Sequence, residues 1–255
     1  MKTIEFYHAL EARLERSLSC AWDRDGVMVL RSPGKEVKKV LCCLDVTARA
    51  AEHAISCGFD VILSHHALIF TPLASLRSDD PIAARAASLY ENDVAVFSFH
   101  TRLDAADGGV NDVLSDLFSL RSRESFLVDG QPMGRVGALS RPVSGKTLAK
   151  KAKELLSCPA IRVNLPDKKI SKLAVIGGSG GGSYKEAIAA GADALLTGEA
   201  SHHVMLDAAD AGLCILTAGH DYTERPVAFR LAELCRAIDP EIRAECFADI
   251  PLPTV

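Results

Sequence analysis

Four short stretches of this 255-residue chain carry metal-ligating side chains where a strand is expected to end: Ser64-His65-His66, His100-Thr101-Arg102-Leu103-Asp104, Thr197-Gly198-Glu199 and Gly219-His220-Asp221-Tyr222-Thr223-Glu224. Carboxyl ends of strands in an open parallel sheet form the crevice in which ligands bind, so these residues are the first to examine. Mixed imidazole and carboxylate ligation suits zinc, iron or manganese rather than calcium or magnesium. Side chains alternate along an extended backbone, so His65 and His66 are expected to face opposite ways and serve different ions, with carboxylates holding those ions roughly 3.5–4 Å apart. Each element also has a plain structural reading. A His-His pair after a strand can be an exposed turn, Asp104 can cap the next helix, and Glu224 can be a first-turn glutamate favoured by the helix dipole. His202 and His203 follow Ser201, an N-cap residue, and either line the cleft beside Glu199 or lie on a helix surface. The turn Gly177-Gly178-Ser179-Gly180-Gly181-Gly182 either cradles an anion with its amides or lets backbones pack closely.

Those positions need strands to carry them, and the hydrophobic pattern supplies them. Val40 to Val46 is an apolar run, Arg49 to Cys57 has helical spacing closed by Gly58, and Val61 to Leu63 is a second apolar run. A helix from Pro81 to Asn92 precedes a buried strand from Val94 to Phe99. The same order returns later: strand Lys172 to Ile176, helix Ser183 to Ala190 ended by Gly191, and strand Ala194 to Thr197. A constant shift of 133 positions superposes Lys39 on Lys172, Ala54 on Ala187, Ile55 on Ile188, Gly58 on Gly191, Asp60 on Asp193 and Leu63 on Leu196. We read this as an internal duplication. Each half then ends a strand with a His-x-x-x-carboxylate, His100 with Asp104 and His220 with Glu224. The expected architecture is α/β, with two similar lobes of mainly parallel sheet flanked by helices and a metal site in the cleft between them. The lobes are expected at residues 1–123 and 124–255, with one helical run, Thr147 to Leu156, in the Gly/Pro-rich middle and a C-terminal helix packing on the first lobe.

Composition narrows the function classes. With 48% hydrophobic and 24% charged residues, the chain can bury a full core. A net charge of −4 with both signs interspersed offers no basic stripe for a phosphate backbone, so nucleic acid is not an expected partner. No stretch approaches a membrane span, and the charged first segment suits an amphipathic helix rather than a signal-peptide core, so a cytoplasmic location is expected. The eight cysteines form no CxxC pair and sit mostly in apolar runs, as small core hydrophobes in a reducing compartment. Trp22, Tyr7, Tyr90 and Tyr184 show no stacking pattern and are read as packing residues.

The ordered motifs Ser64-His65-His66-Ala67-Leu68-Ile69-Phe70, His100 to Ala106 with Gly108-Gly109-Val110-Asn111-Asp112, Thr197 to His203, and Gly219 to Glu224 resemble the Ngg-interacting-factor-three-like family, often labelled GTP cyclohydrolase I type 2 homologue. The resemblance runs from about Phe6 to Pro251. It implies a dinuclear centre of two divalent ions on His65, His66, Asp104, His220 and Glu224, and a toroidal homohexamer. The function expected is that of a metal-dependent hydrolase acting on a small nucleotide-like or heterocyclic substrate, the alternative being a metal-storage, metal-delivery or regulatory binding protein. Glu199 or His202 would move protons, and His100 would orient a ligand through a hydrogen bond. Ala67 stands where the family usually has proline, Arg102 replaces a usual asparagine and is expected to bring a cation towards the pocket, and Asp221-Tyr222 vary the lining.

Overall fold

In the computed structural model residues 1–248 and Leu252 are described; the ends of the expected second lobe and of the family-like span, at 249–251 and 253–255, lie outside them. Eleven strands occur among the described residues: β1 Gly26–Val29, β2 Lys39–Cys43, β3 Val61–Ser64, β4 Ala95–Ser98, β5 Arg121–Val128, β6 Gln131–Ser144, β7 Arg162–Val163, β8 Lys169–Val175, β9 Ala194–Thr197, β10 Cys214–Thr217 and β11 Arg243–Cys246. No helix among the described residues is long and apolar enough to cross a membrane. The chain divides into two compact units, one of Met1–Leu103 with Val227–Val255, the other of Asp104–Pro226.

The first unit is built on a five-stranded sheet ordered β1-β4-β3-β2-β11. β11, β2, β3 and β4 run parallel and only the edge strand β1 is antiparallel. Both faces of the sheet are covered, which is why β2 and β3 read as continuous apolar runs rather than alternating ones. Leu41, Ile62 and Val96 enter one core cluster with Phe59 and Leu89. Their neighbours Val40, Val61 and Phe97 are buried on the opposite face. Local chemistry sets the helices between. Thr47 caps Ala48–Ser56 by accepting from the Ala50 amide at 3.1 Å, and Asp80 caps Pro81–Glu91 by accepting from Ile82 and Ala83.

The second unit holds a six-stranded sheet ordered β5-β6-β8-β9-β10-β7. Its centre, β8-β9-β10, is parallel, and the flanking pairings are antiparallel. Leu173, Val175, Leu196 and Leu216 pack on one side, while Ala174, Leu195 and Ile215 pack on the other. The hairpin β5–β6 falls where the pattern offered only a loop and a helix. Its turn is Asp129-Gly130, both at positive φ (50° and 78°), a two-residue hairpin signature. β5 is almost wholly exposed, so it lacks the alternation that marks a half-buried strand.

The duplication is visible bond by bond. Val40 pairs with Val61 and Leu173 with Ala194, the same register under the shift of 133. Asp60 accepts from the Lys38 and Lys39 amides at 2.8 and 2.9 Å, and Asp193 accepts from those of Ser171 and Lys172 at the same distances. Gly58 and Gly191 both hold positive φ. The repeat loses register in its last step. Phe99 and Ala218 donate equivalently to Ser64 and Thr197, so Gly219, not His220, stands where His100 stands. Accordingly His100 precedes the helix Thr101–Ala105, whereas His220 opens the helix His220–Glu224.

Candidate metal centre

In the first unit the histidines follow the ends of β3 and β4. Ser64 pins the turn: its Oγ donates to the His66 carbonyl at 2.8 Å and lies 2.8 Å from Ser98 Oγ. The strand ends at Ser64, so strand alternation no longer governs the next two residues. His65 and His66 therefore do not point opposite ways. Their ring centroids lie 4.9 Å apart, His100 lies 5.3 and 5.6 Å from them, and one ligand nitrogen from each of the three falls within 4.8 Å of the others.

Each of these rings has its Nδ1 against an oxygen that can only accept. His65 donates to the Phe99 carbonyl at 3.1 Å, His66 to Asp45 at 2.8 Å, and His100 to Asp23 at 2.8 Å. A ring whose Nδ1 carries the proton presents the Nε2 lone pair, the arrangement that oxygen–histidine–metal triads use to fix tautomer and orientation. Burial pushes the Asp23 carboxyl up, but hydrogen bonds from His100 and Thr101 outweigh it and hold it well below the usual carboxylate range, so it is an anion. His65 is fully buried, while His66 borders a cavity of about 410 Å³ lined by Asp45, Thr47, Ala67 and Arg85 among others.

Arg102 does not carry its charge to these histidines. It is fully buried, its Nε and Nη2 grip the two oxygens of Asp25 at 2.7 and 3.1 Å, and Nη1 donates to the Leu14 carbonyl at 2.9 Å. The expected cation is neutralised inside the unit. Asp23 and Asp45 were not singled out from sequence. Asp45 stands two residues past β2 and obeys the strand-end rule applied elsewhere, whereas Asp23 lies 77 positions from His100 with no local signal.

In the second unit His220 Nε2 lies 3.1 Å from Glu224 Oε2, one helical turn away, and Nδ1 lies 3.4 Å from Glu199. Ser179 donates to Glu199 at 2.6 Å. That hydroxyl, aided by His220 against partial burial, holds the Glu199 carboxyl below its ordinary value. Glu224 is buried. The glycine turn packs directly on this pair, and a Cβ on Gly178, at φ +58°, would collide with Glu224 Oε1 and come within 3.1 Å of His220 Nε2. Its amides are committed within the unit: Gly177 to Asn111 Oδ1, Gly178 to Thr223 Oγ1, Gly181 to the Glu199 carbonyl. The turn thus serves close packing, and those three amides do not form an anion cradle. Asn111, fully buried, also donates to the Asp104 carbonyl at 3.2 Å, tying the Asp104 segment to the turn. His202 is exposed in the first turn of the helix His202–Asp210, beside His203.

Fold and site define an α/β chain whose strand-end histidines and carboxylates could hold a metal ion. Residues 1–249 match Duf34/NIF3 (NGG1p interacting factor 3), and the chain belongs to that family. Among its relatives is a "GTP cyclohydrolase 1 type 2 homolog" of Nostoc sp., 33% identical over 216 residues, 80% of each chain. "Protein NIF3 homolog" of Schizosaccharomyces pombe is 31% identical across 85% of this chain and 82% of that one. A crystal structure of the Staphylococcus aureus hypothetical protein SA1388 superposes with a TM-score of 0.92 at 25% identity, covering 100% of this chain and 99% of that one.

Proposed function

We propose that this chain is a metal-dependent hydrolase holding two divalent ions on His65, His66, Asp104, His220 and Glu224 and acting on a nucleotide-like or heterocyclic small molecule. The observation that carries the reading is the common arrangement of His65, His66 and His100, each Nδ1 set against an acceptor oxygen and one ring nitrogen of each lying within 4.8 Å of the others. Such an acceptor fixes the tautomer and orientation that His65 and His66 need as ligands and that His100 needs to orient one. The Gly178 cradle around Glu224 and His220 supports the same reading, because only glycine leaves room for both donors there. Names of relatives that mention GTP cyclohydrolase favour a heterocyclic substrate.

Bound ions would polarise the bond under attack and ease loss of a proton from water. The chain's own residues would do the rest. Asp23 and Asp45 hold the imidazoles in one tautomer. Glu199, an anion supported by Ser179, accepts a proton beside His220, while His202 is the second candidate for proton transfer. His100 positions the group that the other histidines bind. Assembly into a ring of six copies is part of the proposal, and a monomer by light scattering would argue against it.

Elemental analysis of protein purified without chelator should find close to two ions per chain, the number that two-metal hydrolysis uses. Less than one ion after reconstitution overturns the reading. Metal retained in full with no turnover of nucleotides or cyclic esters would instead favour a carrier. Glu224→Gln keeps size and helix compatibility, so it should lower metal affinity while leaving circular dichroism unchanged.

A further inference from the structure

We propose that Trp22 and Phe70 form a subsite for the planar ring of a heterocyclic ligand beside the histidines of the first unit, a specificity element resting on the metal-centre reading above. Trp22 is 50% exposed, so it is not the packing residue that sequence suggested, and Phe70 is 46% exposed beside it. Single exposed aromatics are ordinary, but these two converge on one histidine. Trp22 and Phe70 lie 6.4 Å apart at 61°, Trp22 lies 6.0 Å from His100 at 70°, and Phe70 lies 6.1 Å from His100 at 89°. The three rings are mutually steep and form a corner. A flat ring entering it can stack on one wall and present its edge to the other, the two geometries aromatic quadrupoles favour.

A polar framework fixes the segments that carry Trp22 and His100. The Cys20 amide donates to Thr101 Oγ1 at 2.9 Å, Asp23 accepts from His100 and from the Thr101 amide at 2.8 Å, and Asp25 is gripped by buried Arg102. Residues on both sides of Trp22 are thereby fixed to the segment that carries His100, which keeps the indole from folding away into the core. This gives Arg102 a role its charge alone does not suggest: it braces the loop that presents Trp22.

Trp22 is the only tryptophan in the chain, so its emission reports the subsite directly. The probes are GMP, CMP and, as the ringless control, ribose 5-phosphate, each titrated into zinc-loaded and chelator-stripped protein. The nucleotides should change Trp22 emission saturably and ribose 5-phosphate should not. Phe70→Ala should weaken nucleotide binding at least roughly five-fold, the lower end for loss of a base–aromatic stack, with zinc content unchanged. No emission change with either nucleotide, equal affinity in Phe70→Ala, or a Phe70→Ala protein that falls to a smaller oligomer would overturn the subsite, the last by making the corner a contact between copies. A nucleotide response in protein that takes up no zinc would uphold the subsite and fail only the metal reading.

Discussion

Replacing Gly178 by alanine tests how tightly the glycine turn and the carboxylate beneath it depend on each other. Two costs add. At φ +58° a Cβ meets the left-handed penalty, about 1–2 kcal/mol. The same Cβ overlaps Glu224 Oε1, so the buried carboxylate must leave its 3.1 Å ion-pair contact with His220 Nε2, a charged polar contact of about 1.5–3 kcal/mol. Two neighbours separate these terms. Gly191 sits at φ +78° with only Lys172 Nζ at 3.7 Å, so Gly191→Ala carries the backbone penalty alone. Gly182 has nothing within 4 Å and no positive φ, so Gly182→Ala should be close to neutral. By denaturant unfolding the expected order is Gly182→Ala, then Gly191→Ala lower by about 1–2 kcal/mol, then Gly178→Ala lower by about 2.5–5 kcal/mol. Zinc affinity measured calorimetrically should fall for Gly178→Ala alone. Equal stability and equal zinc affinity for Gly178→Ala and Gly191→Ala would refute the claim that the turn is glycine in order to seat Glu224.

Arg102→Met should cost about 3 kcal/mol, the lower end for breaking a buried pair, because Arg16 and Ser19 still reach Asp25; pairing it with Asp25→Asn should recover part of the loss, and strict additivity in that cycle would show the pair is uncoupled. Burial and the hydrogen bond to Glu11 push the Tyr7 phenol up to about 12. The folded chain therefore keeps a proton that the unfolded chain loses near 10. Tyr7 contributes stability that is complete below pH 10 and lost as pH rises through about 12. Alkaline difference spectra should show a late ionisation step that Tyr7→Phe abolishes.

The parallel cores, the duplication and the strand-end histidines were legible in the sequence because each is a local or periodic signal. Leu41, Ile62 and Val96 announce buried strands by composition, and Asp60 and Asp193 recur at a fixed shift because both cap the same backbone step. Gly58 and Gly191 likewise mark helix ends that only positive φ can make. The sequence also named His220 and Glu224 together, since four-residue spacing on a helix brings side chains to one face whatever the tertiary context. Other features depend on residues far apart in the chain. That His65 and His66 converge follows from where β3 stops, and their tautomers follow from Asp45 and the Phe99 carbonyl. The return of β11 to pair with β2 joins residues some two hundred positions apart, a pairing no local pattern encodes. Arg102 turned inward because Asp25 and the Leu14 carbonyl sit where only the folded chain brings them, and a buried guanidinium must have such partners to offset its lost hydration.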